Sequence, residues 1–205
     1  MPLIRKGFGE SPSVPPIDLS RNLVLLREGT VDERWNAARS LGTDAAAASA
    51  LGDALRLENH ERVREAIFTS LATLNSQTSV AAVLPYLRSD DALIRTGALD
   101  ALRAMPQAAA GHVANLLRDI DPDVRILACE LARDAPSRDM AKALTELLDA
   151  DHLVNVCAAA IDALADIGTA ADIPTLQHCL ARFPNEPFLA FSVKVATARL
   201  MSSAK

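Results

Sequence analysis

Aromatic side chains are scarce in this 205-residue chain, which holds five Phe, one Trp and one Tyr. Sandwich and barrel cores draw on aromatic and β-branched residues, so that fold class is disfavoured. Positive charge is also short: 21 Lys and Arg stand against 26 Asp and Glu, for a net charge of −5. Affinity for a phosphate backbone comes from clustered cations, so nucleic acid is not an expected partner. The three cysteines, Cys129, Cys157 and Cys179, form no CxxC pair, which excludes a disulfide framework and suits a reducing cytosol. No apolar run approaches the ~20 residues that span a bilayer. Met1 to Pro16 lacks the apolar stretch of a signal peptide. A cytoplasmic protein with no membrane partner is expected.

What is abundant is alanine and leucine, and half the residues are apolar. Such a composition favours helices packed closely through small side chains. The first 16 residues carry Pro2, Pro12, Pro15 and Pro16 with Gly7 and Gly9, a density that defeats a helix, so 1–16 reads as a disordered arm. Residues 17–205 read as a single domain.

That domain repeats. Taking Glu33, Val63, Ile94, Val124 and Val156 as anchors, the spacings are 30, 31, 30 and 32. Small or apolar residues fall at +3, +4, +7, +8 and +11 from each anchor, the stripe of an amphipathic helix. The last copy shows it in Val156, Ala159, Ala160, Ala163, Leu164 and Ile167, closed by Gly168. A second stripe follows in each copy, as in Val80, Val83, Leu84 and Leu87, or Ala141, Leu144 and Leu148. Each repeat is therefore a pair of helices. Neither hides its apolar stripe alone, so neighbours must stack. Acids at Asp90-Asp91, Asp121-Pro122-Asp123 and Asp151 precede the first helices, where they cap amides. The repeats lie near 32–57, 60–88, 91–118, 121–149 and 151–182. Helices 17–28 and 186–203 cap the two ends. Phe183, Phe188 and Phe191 suit a capping plug, with an exposed dimer patch as the alternative.

Asp121-Pro122-Asp123-Val124-Arg125 and Ala163-Leu164-Ala165-Asp166-Ile167-Gly168, followed by Ile173-Pro174-Thr175-Leu176, resemble the short HEAT-like, or PBS-lyase-type, form of the HEAT-repeat family. The resemblance implies an all-α superhelix of about five helical hairpins with capping helices at both ends. It further implies a ladder of Arg34, Arg64, Arg95 and Arg125 at anchor +1 with Asp91 and Asp121 at anchor −3. Cys157 takes the arginine slot in the last repeat, so the ladder is expected to end there.

In such solenoids the second helices line the concave face. The outward positions there give Asp53, Ala82, Pro85, Tyr86, His112, Asn115, Lys142, Glu146, Thr175 and His178 as candidates for partner contact. Tyr86, His112 and His178 are the candidate hot spots, because aromatic and amphipathic residues dominate interface energetics. Pro85 falls inside a second helix and is expected to bend it. Trp35 is either core packing against the N-terminal cap or a partner contact. His112 and His178 sit two repeats apart, roughly 20 Å at ~10 Å per packed helix, too far to share a metal. Cys129 and Cys179 have no His or Asp placed as a base within one repeat, so no nucleophile is expected.

These readings converge on a non-enzymatic scaffold or adaptor that binds another protein on its concave groove. No cofactor and no metal are expected, and the chain is expected to be a monomer or a weak homodimer through the C-terminal cap. The alternatives are a bilin lyase or isomerase, suggested by the repeat class, and a nucleic-acid binder, which the acidic balance opposes.

Overall fold

The structure is a computed structural model that describes residues 18–203. The expected arm 1–16 lies outside the described residues. Among those described are twelve α-helices and no strand. They are α1 (Leu19–Glu28), α2 (Val31–Leu41), α3 (Ala48–Leu57), α4 (Glu61–Leu74), α5 (Gln77–Val83), α6 (Ala92–Arg103), α7 (Pro106–Leu116), α8 (Pro122–Asp134), α9 (Arg138–Ala150), α10 (Val154–Ile167), α11 (Ile173–Arg182) and α12 (Pro187–Ser203). The even-numbered helices stack in one layer, each on the next from α2 to α12. The odd-numbered ones form a second layer, α1 on α3, α3 on α5, α5 on α7, and α9 on α11. Five hairpins result, α2–α3 through α10–α11. Helix α1, packed on α2, and helix α12, packed on α10 and α11, close the stack. This is an α-α solenoid with its core between the two layers.

Local chemistry sets the helix starts. Asp18, Ser76, Asp91, Asp121 and Ser137 each accept a backbone N–H two or three residues on. Thr30 and Glu33 form a capping box on α2. Pro106 and Pro122 sit in first turns, where the missing N–H has no intrahelical partner anyway. Pro85 does not bend a continuous helix, as expected, but changes its type. The α5 helix stops at Val83, and the chain winds on as a 3₁₀ turn, Leu84–Arg88, with the proline in its first positions. That proline has no N–H to donate, and the shorter 3₁₀ segment accommodates it.

Packing explains the alanine content. Ala37, Ala38, Ala98, Ala101, Ala128, Ala132, Ala160 and Ala163 are all buried on the even-numbered helices. Small side chains at the seam bring helix axes toward the short end of the usual 8–10 Å. Leucines and valines of the other layer fill the space behind, among them Leu51, Leu55, Val83, Leu117, Leu144 and Leu148, all fully buried. Each such side chain contributes about 1.5–3 kcal/mol of burial. Gly52 lets α3 approach α5, since a Cβ there would stand 2.8 Å from that of Ala82. Ion pairs rivet successive even-numbered helices: Arg103 to Asp134 at 2.9 Å, and Asp166 held by Arg133 at 2.5 Å and by Arg199 at 2.7 Å.

Candidate functional site

The recurrent arginines clamp turns. Arg34 donates to the carbonyl of Gly29 (2.9 Å), Arg64 to Asn59 (3.0 Å), Arg95 to Ser89 (2.6 Å) and Arg125 to Asp119 (2.8 Å). Each reaches back five or six residues into the turn that precedes its own helix. Arg34 also grips Glu58 with two N–H groups at 2.7 and 3.0 Å, and Arg125 meets Asp151 at 2.6 Å. Those carboxylates lie in the following inter-repeat turns, so these two arginines join consecutive turns. Asp91 and Asp121 do not pair with the arginines in the contacts seen here. Their carboxylates accept from backbone N–H groups of α6 and α8, a shorter reach that wins for so short a side chain.

The clamp does not stop at Cys157. Arg182, from the end of α11, donates to the carbonyls of Leu148 (2.6 Å) and Asp151 (3.1 Å) and to that of Asp149. It thereby performs on the α9–α10 turn what an anchor-position arginine performs on the others. Its position, 25 residues after the slot it serves, hides it from the repeat alignment.

The ten candidates on the odd-numbered layer are placed as follows. Asp53 pairs with Arg56 on α3. Pro85 is exposed, and Ala82 half-buried beside Gly52. Tyr86 is half-buried, its ring edge-on to Phe68 at 5.7 Å. On α7, His112 is half-buried and Asn115 exposed. Glu146 is shared by Lys142 at 3.9 Å and by Arg118 of the preceding repeat at 2.7 Å. His178 lies 3.5 Å from Asp149, and Thr175 is half-buried. Arg88 and Asp119 add another cross-repeat pair. This face is a polar surface whose charges are largely matched within the chain.

The wider openings lie elsewhere. A groove of about 450 Å³ separates α4 from α6, lined by Glu61, Glu65, Phe68, Leu93, Gly97 and Asp100 among others. A second, of about 610 Å³, separates α10 from α12, with Ile126 of α8 at its edge. Phe188, Phe191 and Val195 form one wall, and Ala158, Ala159 and Ala165 face them. Both phenylalanines are 64% exposed, so they are not the expected capping plug. The residues that plug the end are Leu189, Val193, Ala196 and Leu200, all buried. None of the ten odd-layer candidates lines either groove.

Register makes the α12 surface unusual. Relative to the five repeat anchors, positions −1, +2 and +6 carry Asp32, Trp35 and Arg39; then Arg62, Glu65 and Thr69; Leu93, Thr96 and Asp100; Asp123, Ile126 and Glu130; and Asn155, Ala158 and Asp162. Every set has at least two polar residues. With Leu189 as the anchor of α12, the same positions are Phe188, Phe191 and Val195. Near the opposite end, Trp35 is covered by Arg39 and Arg62, whose guanidinium carbons lie 4.6 and 4.4 Å from its ring centre, with Arg62 held by Asp32 at 2.6 Å. Trp35 packs partly against the core beneath. Among the described residues no group of three or more His, Cys, Asp or Glu is placed to hold a metal, and no helix is long and apolar enough to cross a membrane.

Stacked hairpins of this kind make the chain an α-solenoid. Within it, residues 110–188 match the family model described as HEAT repeats. Its fold is similar to that of the archaeal HEAT-like repeats protein from Thermococcus onnurineus NA1, at 15% identity and TM-score 0.54, covering 90% of this chain and 87% of that one. Weaker likenesses are to the designed armadillo repeat protein YIII(Dq)4CqI (17% identity, TM-score 0.46, 89% and 100% covered) and to the complex of CpcE and CpcF of phycocyanin lyase from Nostoc sp. PCC7120 (15%, 0.39, 97% and 100%). No curated protein matches the sequence.

Proposed function

We propose that this protein is a non-enzymatic interaction scaffold that binds a helix of a partner protein in the trough between α10 and α12. One observation carries the reading. Positions that are mostly polar in five successive repeats become Phe188, Phe191 and Val195 in α12, and both phenylalanines stand 64% exposed beside a groove of about 610 Å³. Exposed aromatic side chains beside an apolar trough are the usual anchors of an interface. A trough flanked by two helices fits a third laid along it, which would present apolar residues at i, i+3 or i+4, and i+7. The odd-numbered face, where the concave groove was expected, is the weaker candidate, because Asp53, Glu146 and His178 already have partners within the chain.

The test is a selection of helical peptides from a displayed library against the full chain. Recovered peptides should share the apolar spacing and lose at least about tenfold in affinity against an F188S/F191S variant, since aromatic anchors carry ~2 kcal/mol or more. Peptides that bind the variant equally well, or that lose affinity only with K142A/H178A, would move the site to the other face. A wild-type dimer that dissociates in F188S/F191S would replace the partner helix with a second copy of this chain.

A further inference from the structure

Cys157 on α10 and Cys179 on α11 are both fully buried, and each sulfur lies 3.7 Å from the same Nη2 of Arg182. The Cys157 thiol donates to the carbonyl of Asp151 at 3.6 Å. The remaining contacts of that guanidinium are backbone carbonyls and the ring of Phe183, whose centre lies 5.4 Å from its carbon, and its Nε is buried without a hydrogen-bond partner. The neighbouring carboxylates face other cations or donors: Asp151 holds Arg125, and Asp149 faces His178. The anionic form that Arg182 can engage through its Nη2 is therefore a thiolate. A guanidinium at this distance repels a metal cation, which separates the site from a metal-binding dithiol, whereas it favours the sulfur anion that attacks oxidants.

We propose that Cys157 and Cys179 form a peroxide-sensitive dithiol that closes to a disulfide joining α10 to α11. The Cys179 thiolate attacks one oxygen of hydrogen peroxide, the O–O bond breaks, and hydroxide leaves to give a sulfenic acid. The Cys157 sulfur then attacks that sulfur, the S–O bond breaks, and the departing hydroxide takes the Cys157 proton as water. In sum, two thiols and one peroxide yield one disulfide and two waters, the dithiol losing two electrons and the peroxide gaining them. The roles follow from the contacts. The neighbouring Cys157 thiol lowers the Cys179 pKa against the opposing effect of burial, and Arg182 lowers it further, while the neighbouring Cys179 and burial raise that of Cys157. Cys129 supplies an internal reference. It is buried with no such donors, and burial followed by the charge of Asp151 pushes its thiol up to about 12. Because both sulfurs are covered, peroxide reaches them through local opening of α11.

The experiment exposes the full chain to hydrogen peroxide, then alkylates free thiols in denaturant and maps peptides by mass spectrometry. The expected result is joint loss of Cys157 and Cys179 as one linked peptide pair, at least about tenfold faster than loss of Cys129, with full recovery on adding dithiothreitol. The C157S variant should instead accumulate a dimedone-trappable sulfenic acid on Cys179. Arg182 acts as a positioning residue, so R182M should shift the pH midpoint of oxidation upward while keeping the rate at high pH. Absence of the 157–179 linkage, or Cys179 oxidising no faster than Cys129, overturns the proposal. The wild-type rate ratio decides this even if a variant fails to fold.

Discussion

Four inter-repeat turns are clamped by an arginine of the helix that follows them, and the fifth by an arginine from the helix after that. Arg34, Arg64, Arg95 and Arg125 all occupy anchor +1, and all donate to carbonyls five or six residues back. At the α9–α10 turn the slot belongs to Cys157, and Arg182 approaches from α11 to the same kind of carbonyls. The difference teaches that a guanidinium can serve the same kind of turn carbonyls from either of the two helices that follow the turn. Late helix carbonyls have no intrahelical partner, and a fork of N–H donors satisfies several at once.

The sharpest way to break this comparison is to remove arginines that do unequal work. Arg125 serves the carbonyls of Asp119 and Ile120 and also Asp151, whose side chain is only 5% exposed. R125A strands that carboxylate in the interior and should cost about 3–5 kcal/mol in urea unfolding. R95A loses a carbonyl contact alone and should cost roughly 1–2 kcal/mol. Equal losses would mean that the carboxylates contribute nothing beyond the turn clamp.

A smaller effect separates the first clamp from the third by pH. Burial raises the pKa of Glu58, but the Arg34 guanidinium and the backbone N–H of His60 outweigh it, and the carboxyl ends below its ordinary value. A carboxyl lowered on folding contributes stability that is complete above its unfolded pKa, near 4.5, and is lost as pH falls through the folded value. E58Q should therefore flatten the acid limb of the stability curve below about pH 4.5, whereas R95A should leave its shape unchanged. An acid limb in E58Q as steep as in wild type would remove Glu58 from the account.

The smallest expected change is at Trp35. R62A uncovers one face of the indole and should red-shift its fluorescence while costing under about 1 kcal/mol. No spectral shift would show that the arginine leaves the ring in solution.

The repeat period, the helix pairs and most helix starts were legible in the sequence because each rests on local spacing or a neighbouring side chain, such as Asp121 ahead of Pro122. What was not legible depends on which neighbour lies opposite. Helix α12 carries two apolar stripes at helical spacing, Phe188–Phe191–Val195 and Leu189–Val193–Ala196–Leu200. Periodicity accepts either as the buried one; α10 and α11 select the smaller side chains, and the phenylalanines expected inside stand outside. The odd-layer candidates fall on the second helix of their repeats, except Pro85 and Tyr86, which fall on the 3₁₀ turn after α5. The cross-repeat partners of Glu146 and His178, Arg118 and Asp149, lie 28 and 29 residues away, and no single-repeat pattern reveals them. Arg182 and the paired cysteines escaped for the same reason: they meet only where α10 and α11 fold together.

The shared carboxylate of Asp166 has a mechanical meaning. Its two oxygens hold guanidiniums from the helices on either side, Arg133 of α8 and Arg199 of α12. Whatever tugs on the phenylalanine face of α12 thus loads α8 through this carboxylate as well as through the packing of α10 against both. With that tie in place, the C-terminal third of the rod should flex as one stiff segment rather than fold open helix by helix.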